Sequence, residues 1–126
     1  MFEQDYIMRL VHEIARVLAK ILFNIDSENA SEELESRIEE TDILEQLLGM
    51  IDNGQINEAE NKLYDMLDAG TPNCIETAIL FYFYLNEKSD EFLKENDYSR
   101  GEVKEGIEGV AERVGLGGLI STLFIE

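Results

Sequence analysis

An all-α fold is the class this sequence predicts, and three observations predict it. Strong helix formers dominate the composition, with one Pro and no Trp. Apolar residues recur at spacings of three and four along the first 25 residues. Two further amphipathic stretches meet at a tight turn, Asn53-Gly54, and the next break is Ala69-Gly70-Thr71-Pro72. The expected architecture has about five helices, near 5–25, 42–52, 57–68, 72–87 and 99–114. A long amphipathic N-terminal helix packs on a helix pair, beside a central apolar helix. A length of 126 residues with 44% hydrophobic side chains fits a single domain, 1–126, that buries a core without metal or disulfide staples.

The first helix, 5–25, follows from Ile7, Val11, Ile14, Leu18, Ile21 and Ile25, with Leu10, Val17 and Leu22 widening the stripe. Each such side chain gains about 1.5–3 kcal/mol on burial, so the stripe must be covered. Residues 26–40 are rich in acids, with Leu34 and Ile38 their only large apolar residues, and read as a flexible acidic linker with at most a frayed turn of helix. Thr41 is the expected N-cap of the second helix, and Asp42 suits its positive end. Its inner face, Leu44, Leu48 and Ile51, is expected to be covered by the first helix. The third helix, 57–68, pairs with the second in antiparallel fashion. Pro72 opens the fourth, whose run AILFYFYL is apolar on every side and belongs at the centre. Tyr82 and Tyr84 there need hydroxyl partners or an edge on solvent. Ser89 before Phe92 and Leu93 suggests a short helix over 90–95. Ser99-x-x-Glu102 has capping-box spacing and opens the last helix, which Gly115 ends. The tail, 115–126, is apolar and is left open as docked, swapped or disordered.

Charge excludes several functions. The net charge is −18, and it is uneven. Residues 1–25 balance three acids (Glu3, Asp5, Glu13) against three bases (Arg9, Arg16, Lys20), so the rest of the chain carries 25 acids against 7 bases. Nucleic acid and anionic membrane surfaces are repelled by such a chain. No run approaches a membrane-spanning length, and no secretory signal is legible in MFEQDYIMR. One cysteine, Cys74, gives no disulfide framework, which fits the cytoplasm, and its place in an apolar run reads as a buried structural thiol. The acidity serves solubility, or it meets a basic partner surface.

Motifs for catalysis are missing. There is one His and no Glu-x-x-His spacing, no Gly-x-Ser-x-Gly elbow and no phosphate-binding glycine loop. No catalytic, cofactor-binding or metal residue is therefore assigned. The one positive feature is the row Arg9, His12, Arg16 and Lys20, on the far side of the first helix from its stripe. It is either a solvated face paired with nearby acids or a docking ridge. Phe23 lies off the stripe and either caps the chain turn or is exposed for a partner. These five are the candidate partner contacts.

Two resemblances attach to particular residues. The segments MFEQDYIMR, INEAENKLYDML, YLNEKSDEFLKENDYSR and VAERVGL resemble a family of short, uncharacterised all-helical proteins from Gram-positive anaerobic bacteria, a domain of unknown function. That resemblance implies no activity, cofactor or site residue. Gly54-x-Ile56-x-Glu58-Ala59, followed by Leu63, Met66 and Leu67, resembles the turn and second helix of one tetratricopeptide unit. It implies a packed helix pair that serves as a surface for contact.

The leading functional reading is a non-enzymatic interaction or scaffold module. A small-ligand or sensory module with a pocket near Tyr82, Tyr84 and Tyr98 is the alternative, and a carboxylate-based enzyme the second alternative. The apolar excess of the first helix and of the tail would be covered by a two-fold-related copy, a homodimer through the N-terminal helix.

Overall fold

The apolar stripe of the first segment decides the architecture. In the computed structural model, which describes residues 2–124, it forms α1, Phe2–Phe23. Met1, Ile125 and Glu126, the ends of the expected domain and tail, lie outside the described residues. Seven more helices follow: α2 (Ala30–Ser36), α3 (Asp42–Asp52), α4 (Ile56–Ala69), α5 (Cys74–Asn86), α6 (Asp90–Glu95), α7 (Arg100–Arg113) and α8 (Gly117–Leu123). The described residues thus hold eight helices and no strand, where the sequence suggested about five.

Of the three helices beyond five, α6 is the short helix expected over 90–95, and α2 and α8 each dock through few apolar side chains. In α2 and just beyond it, Ala30, Leu34 and Ile38 recur every four residues and all three are buried, while the acids between them face water. One apolar line is enough to dock a short helix, whatever the charge of its other faces. The stretch read as a flexible linker therefore holds a helix. In the tail, Ile120 is buried and α8 lies on α7, leaving Leu119 and Leu123 exposed.

The centre is α5. Ala78, Ile79, Phe81, Tyr82 and Leu85 are fully buried, and α5 touches α1, α2, α3, α4 and α7. The stripe of α1 runs through Leu10, Val11, Ile14, Ala15, Leu18 and Ala19, whereas Ile21 remains 45% exposed. It packs chiefly on α5 and α7 and not on the α3–α4 pair, which corrects the expected partner. Leu44, Leu47 and Ile51 of α3 are covered from α4 and α5, and Leu48 is only half-buried. Cys74 is also half-buried, so the thiol does not lie inside the core.

Caps and turns follow local chemistry. Ser89 and Ser99 each accept a bond from the third backbone N–H of the following helix, Phe92 at 3.1 Å and Glu102 at 3.2 Å. Thr41 stands at the N-cap of α3, but its hydroxyl turns to the Glu45 carboxylate, 3.4 Å away. Gly54 holds φ at +83°, and a Cβ there would collide with the Asn96 side chain. Glycine thus lets the α3–α4 turn sit against the end of α6.

Arg100 is the one buried cation among the described residues, 4% exposed. Its guanidinium donates to the backbone carbonyls of Asn86 and Lys88, each at 2.8 Å, and to Asp90 Oδ1 at 2.7 and 3.1 Å. Asn86 in turn donates from Nδ2 to the Met8 carbonyl of α1 at 2.9 Å.

Leu34→Ala tests whether α2 belongs to the body. A fully buried leucine truncated to alanine costs about 2–5 kcal/mol, whereas a leucine in a solvated linker costs almost nothing. Urea denaturation is expected to show that loss. An unchanged midpoint would return residues 26–40 to the status of a linker.

Candidate functional site

Two places gather polar and aromatic side chains: a buried tyrosine cluster and an open cleft. The first forms because Tyr82 projects from the central helix toward α4. Its hydroxyl donates to Glu60 Oε2 at 2.5 Å, and Tyr98 donates to the same oxygen at 2.8 Å. Burial pushes both phenols well above their ordinary value, and the Glu60 charge pushes in the same direction. Gly106 of α7 makes room for the Tyr82 ring, which a Cβ would overlap. The cluster is packed and internally satisfied. Tyr84 is not part of it. Its hydroxyl donates to Asp52 at 2.7 and 2.9 Å, and Lys88 reaches Asp52 Oδ1 at 2.6 Å. The three tyrosines of the expected pocket therefore do not converge.

The cleft lies where α1, α2, α3 and α5 meet and has a volume of about 320 Å³. Leu44 and Leu80 are buried at its lining, while Leu48 and Phe83 keep exposed surface there. Glu28, Glu32, Glu35 and Glu87 contribute carboxylates, and His12 and Arg16 face them from α1. The His12 ring meets Phe83 edge-on, with centroids 5.6 Å apart. A second pocket of about 300 Å³ adjoins this one and shares His12, Phe83 and Glu87 with it.

The structure separates the five residues singled out from the sequence. His12 and Arg16 line the cleft, and Arg9 joins His12 in the adjoining pocket. Lys20 lies 3.4 Å from Asp26, beyond both. Phe23 is half-buried at the end of α1, its carbonyl accepts from Arg37 at 2.8 Å, and the Arg37 guanidinium lies 5.7 Å from its ring centroid. The apolar lining was missed. Leu48 and Phe83 read as core from their helical spacing, and only the shortness of α2 leaves their outer edges open.

Chemically, the cleft offers apolar surface beside carboxylates. Asp52, beside Tyr84, is held below its ordinary carboxylate value by hydrogen bonds from Lys88 and then Tyr84. That shift favours a standing anion and opposes use as a proton donor. Among the described residues no group of three His, Cys, Asp or Glu side chains could hold a metal ion. No helix there is long and apolar enough to cross a membrane.

A family model described as "Family of unknown function (DUF6483)" matches residues 1–115. That is most of the chain, and the chain belongs to this family. The match ends just before α8. No curated protein and no solved structure matches the chain.

Two pH effects follow from these contacts. A phenol with a raised folded value stabilises the fold fully below its ordinary value of 10.0 and loses that contribution as pH rises through the folded value. In an absorbance titration, Tyr82 and Tyr98 should therefore ionise only together with alkaline unfolding. A smooth titration of all tyrosines in a still-helical protein would contradict the cluster. Asp52 has the opposite sign: its contribution is present above 3.8 and is lost as pH falls through its lowered folded value. Asp52→Asn should flatten the acid limb of a stability–pH profile, and an unaltered limb would show that the Lys88 contact is not populated.

Proposed function

We propose that the protein is a non-enzymatic interaction module whose cleft between α1, α2, α3 and α5 receives a short segment of a protein partner. One observation carries this reading: an apolar lining with exposed surface on Leu48 and Phe83, surrounded by four glutamates. Apolar side chains of the segment would bury there, and basic side chains would face the carboxylates. The chain's net charge of −18 draws such a partner in and turns acidic ones away. Two pockets adjoin along α1 and α5, which gives room for more than one side chain of a segment. The resemblance of residues 42–72 to a tetratricopeptide unit agrees with a role in contact, and a lone thiol outside any disulfide agrees with the cytoplasm.

A homodimer is the competing use of the surface. α5 and α7 cover the stripe of α1, so a contact through that helix would rest on Tyr6 and Ile21, its exposed large apolar residues among those described.

Panning a random peptide library against the full chain tests the reading. Selected peptides should combine apolar residues with Lys or Arg, and their binding should weaken as salt rises. Leu48→Ala should weaken them about tenfold, the loss of a central apolar contact, with only a modest fall in melting temperature because the side chain is half-buried. Enriched peptides that bind the variant as well as the original chain would sink the cleft as the site.

A further inference from the structure

The cleft carries charge of both signs on different walls, and the two signs do not neutralise each other. From α1, Arg16 lines it with His12 one turn earlier; from the turn before α2 and from α2 itself, Glu28, Glu32 and Glu35 do so. Leu44 and Leu48 of α3, with Leu80 and Phe83 of α5, supply the apolar part. Arg16 pairs with Glu13 of its own helix at 3.4 Å, a contact open to water and readily exchanged. Among the described residues no ion pair joins Arg16 to a carboxylate of α2, and Glu28, Glu32, Glu35 and Glu87 pair with no cation. Opposite charges that line one cleft without meeting leave both signs available to an occupant.

Shape narrows that occupant. Apart from Glu28 and Glu87, beside helix ends, every lining residue belongs to a helix. Helices use their backbone donors and acceptors internally, so the cleft offers an extended strand no backbone row to pair with. A helix arrives with its own backbone bonds made and presents an apolar stripe with a flank on either side. At physiological salt a charge is screened beyond about 8 Å. A residue laid against Arg16 therefore answers to Arg16 more than to the −18 of the whole chain. A second copy of this chain, with 28 acids against 10 bases, would bring mostly carboxylates to the glutamates.

We infer that the partner segment is an amphipathic helix charged with both signs, its acidic flank against Arg16 and its basic flank against the glutamates of α2. Its apolar stripe lies on Leu48 and Phe83. Arg16 is then the residue that sets specificity, because it gives one side of an otherwise acidic cleft a use for a carboxylate. The inference rests on the cleft reading and adds to it the shape of the segment and its acidic flank.

The test compares two peptides, each held helical by a hydrocarbon staple on the face away from a stripe of leucines. One carries lysines on one flank of the stripe and glutamates on the other; its counterpart carries lysines on both. Fluorescence anisotropy against the full chain, in moderate salt, gives the ratio of their affinities. Arg16→Gln should cut the relative affinity for the mixed peptide about twofold to fivefold, the range of an exposed ion pair, and Arg16→Glu should cut it further. Should Arg16→Glu fail to fold, Arg16→Gln decides. Lys20→Glu changes the charge of the same helix beyond the cleft, where Lys20 meets Asp26, and should leave the ratio alone. Leu48→Ala should weaken both peptides alike. A ratio that the Arg16 variants do not move, or that Lys20→Glu moves as far, would overturn the inference; the cleft reading would still stand if Leu48→Ala weakens both peptides. Absence of binding by either peptide, or binding indifferent to Leu48→Ala, would remove the cleft reading and this inference with it. A free chain that is dimeric by light scattering and turns monomeric as peptide is added would show a second copy in the cleft, which also overturns the inference.

Discussion

A buried guanidinium governs the assembly. Arg100 can stay charged inside the protein because backbone carbonyls at the end of α5 and the Asp90 carboxylate converge on it. A helix C-terminus is the negative end of its dipole, so the last turn of α5 suits a cation. The constraint then spreads. Holding Arg100 fixes where α7 begins, and that start sets the height at which Gly106 meets the Tyr82 ring. Asn86 continues the chain of contacts, with its carbonyl given to Arg100 and its amide to Met8 of α1. The three helices that share most of the core, α1, α5 and α7, are thus set in register by one polar junction as well as by apolar packing. Interdigitated packing resists sliding, and a satisfied polar junction fixes the register further.

The shortness of α2 explains why the surface opens where it does. α5 is apolar all round and needs cover on every side, but α2, which covers it next to α1, is only seven residues long. A helix of that length spans roughly 10 Å at 1.5 Å per residue. It cannot roof the whole of α5, so Phe83 and part of Leu48 are left at the mouth of a cleft. Glu32 and Glu35 line that opening because they belong to the polar faces of the short helix, and Glu28 joins them from the turn before it. The charge imbalance and the gap in the core are therefore one local arrangement.

Legibility in the sequence followed the strength of the periodic signal. The long stripes of α1, α3, α4 and α7 were readable because several apolar residues repeat at helical spacing. α5 was readable for the opposite reason, having no polar face at all. α2 was not, because Ala30, Leu34 and Ile38 are few and sit in a run of acids whose composition argues for disorder; only the buried environment shows that three residues in line suffice. The partner of the α1 stripe was misplaced because helices close in sequence invite pairing, whereas α1 actually meets helices some fifty or more residues away. Of the cleft, the basic side chains His12 and Arg16 were visible as a row on one helix face. Its apolar lining was not, since a half-buried Phe83 and a core Phe81 look alike in sequence. Asn86 left no signal, because its bond to the Met8 carbonyl exists only once α1 and α5 have taken their places.

The distance between α1 and its partners has a consequence in time. Ribosomes add about 5–20 residues per second, so the 76 residues between the end of α1 at Phe23 and the start of α7 at Arg100 take roughly 4–15 s to make. For the first part of that interval the nascent stripe, Leu10, Val11, Ile14 and Leu18, lacks α5, and through all of it the stripe lacks α7. Residues 1–25 also carry no net charge, so like-charge repulsion does not keep the stripe apart from other chains. The acidic remainder that later makes the protein highly charged is synthesised after the segment that most needs protection.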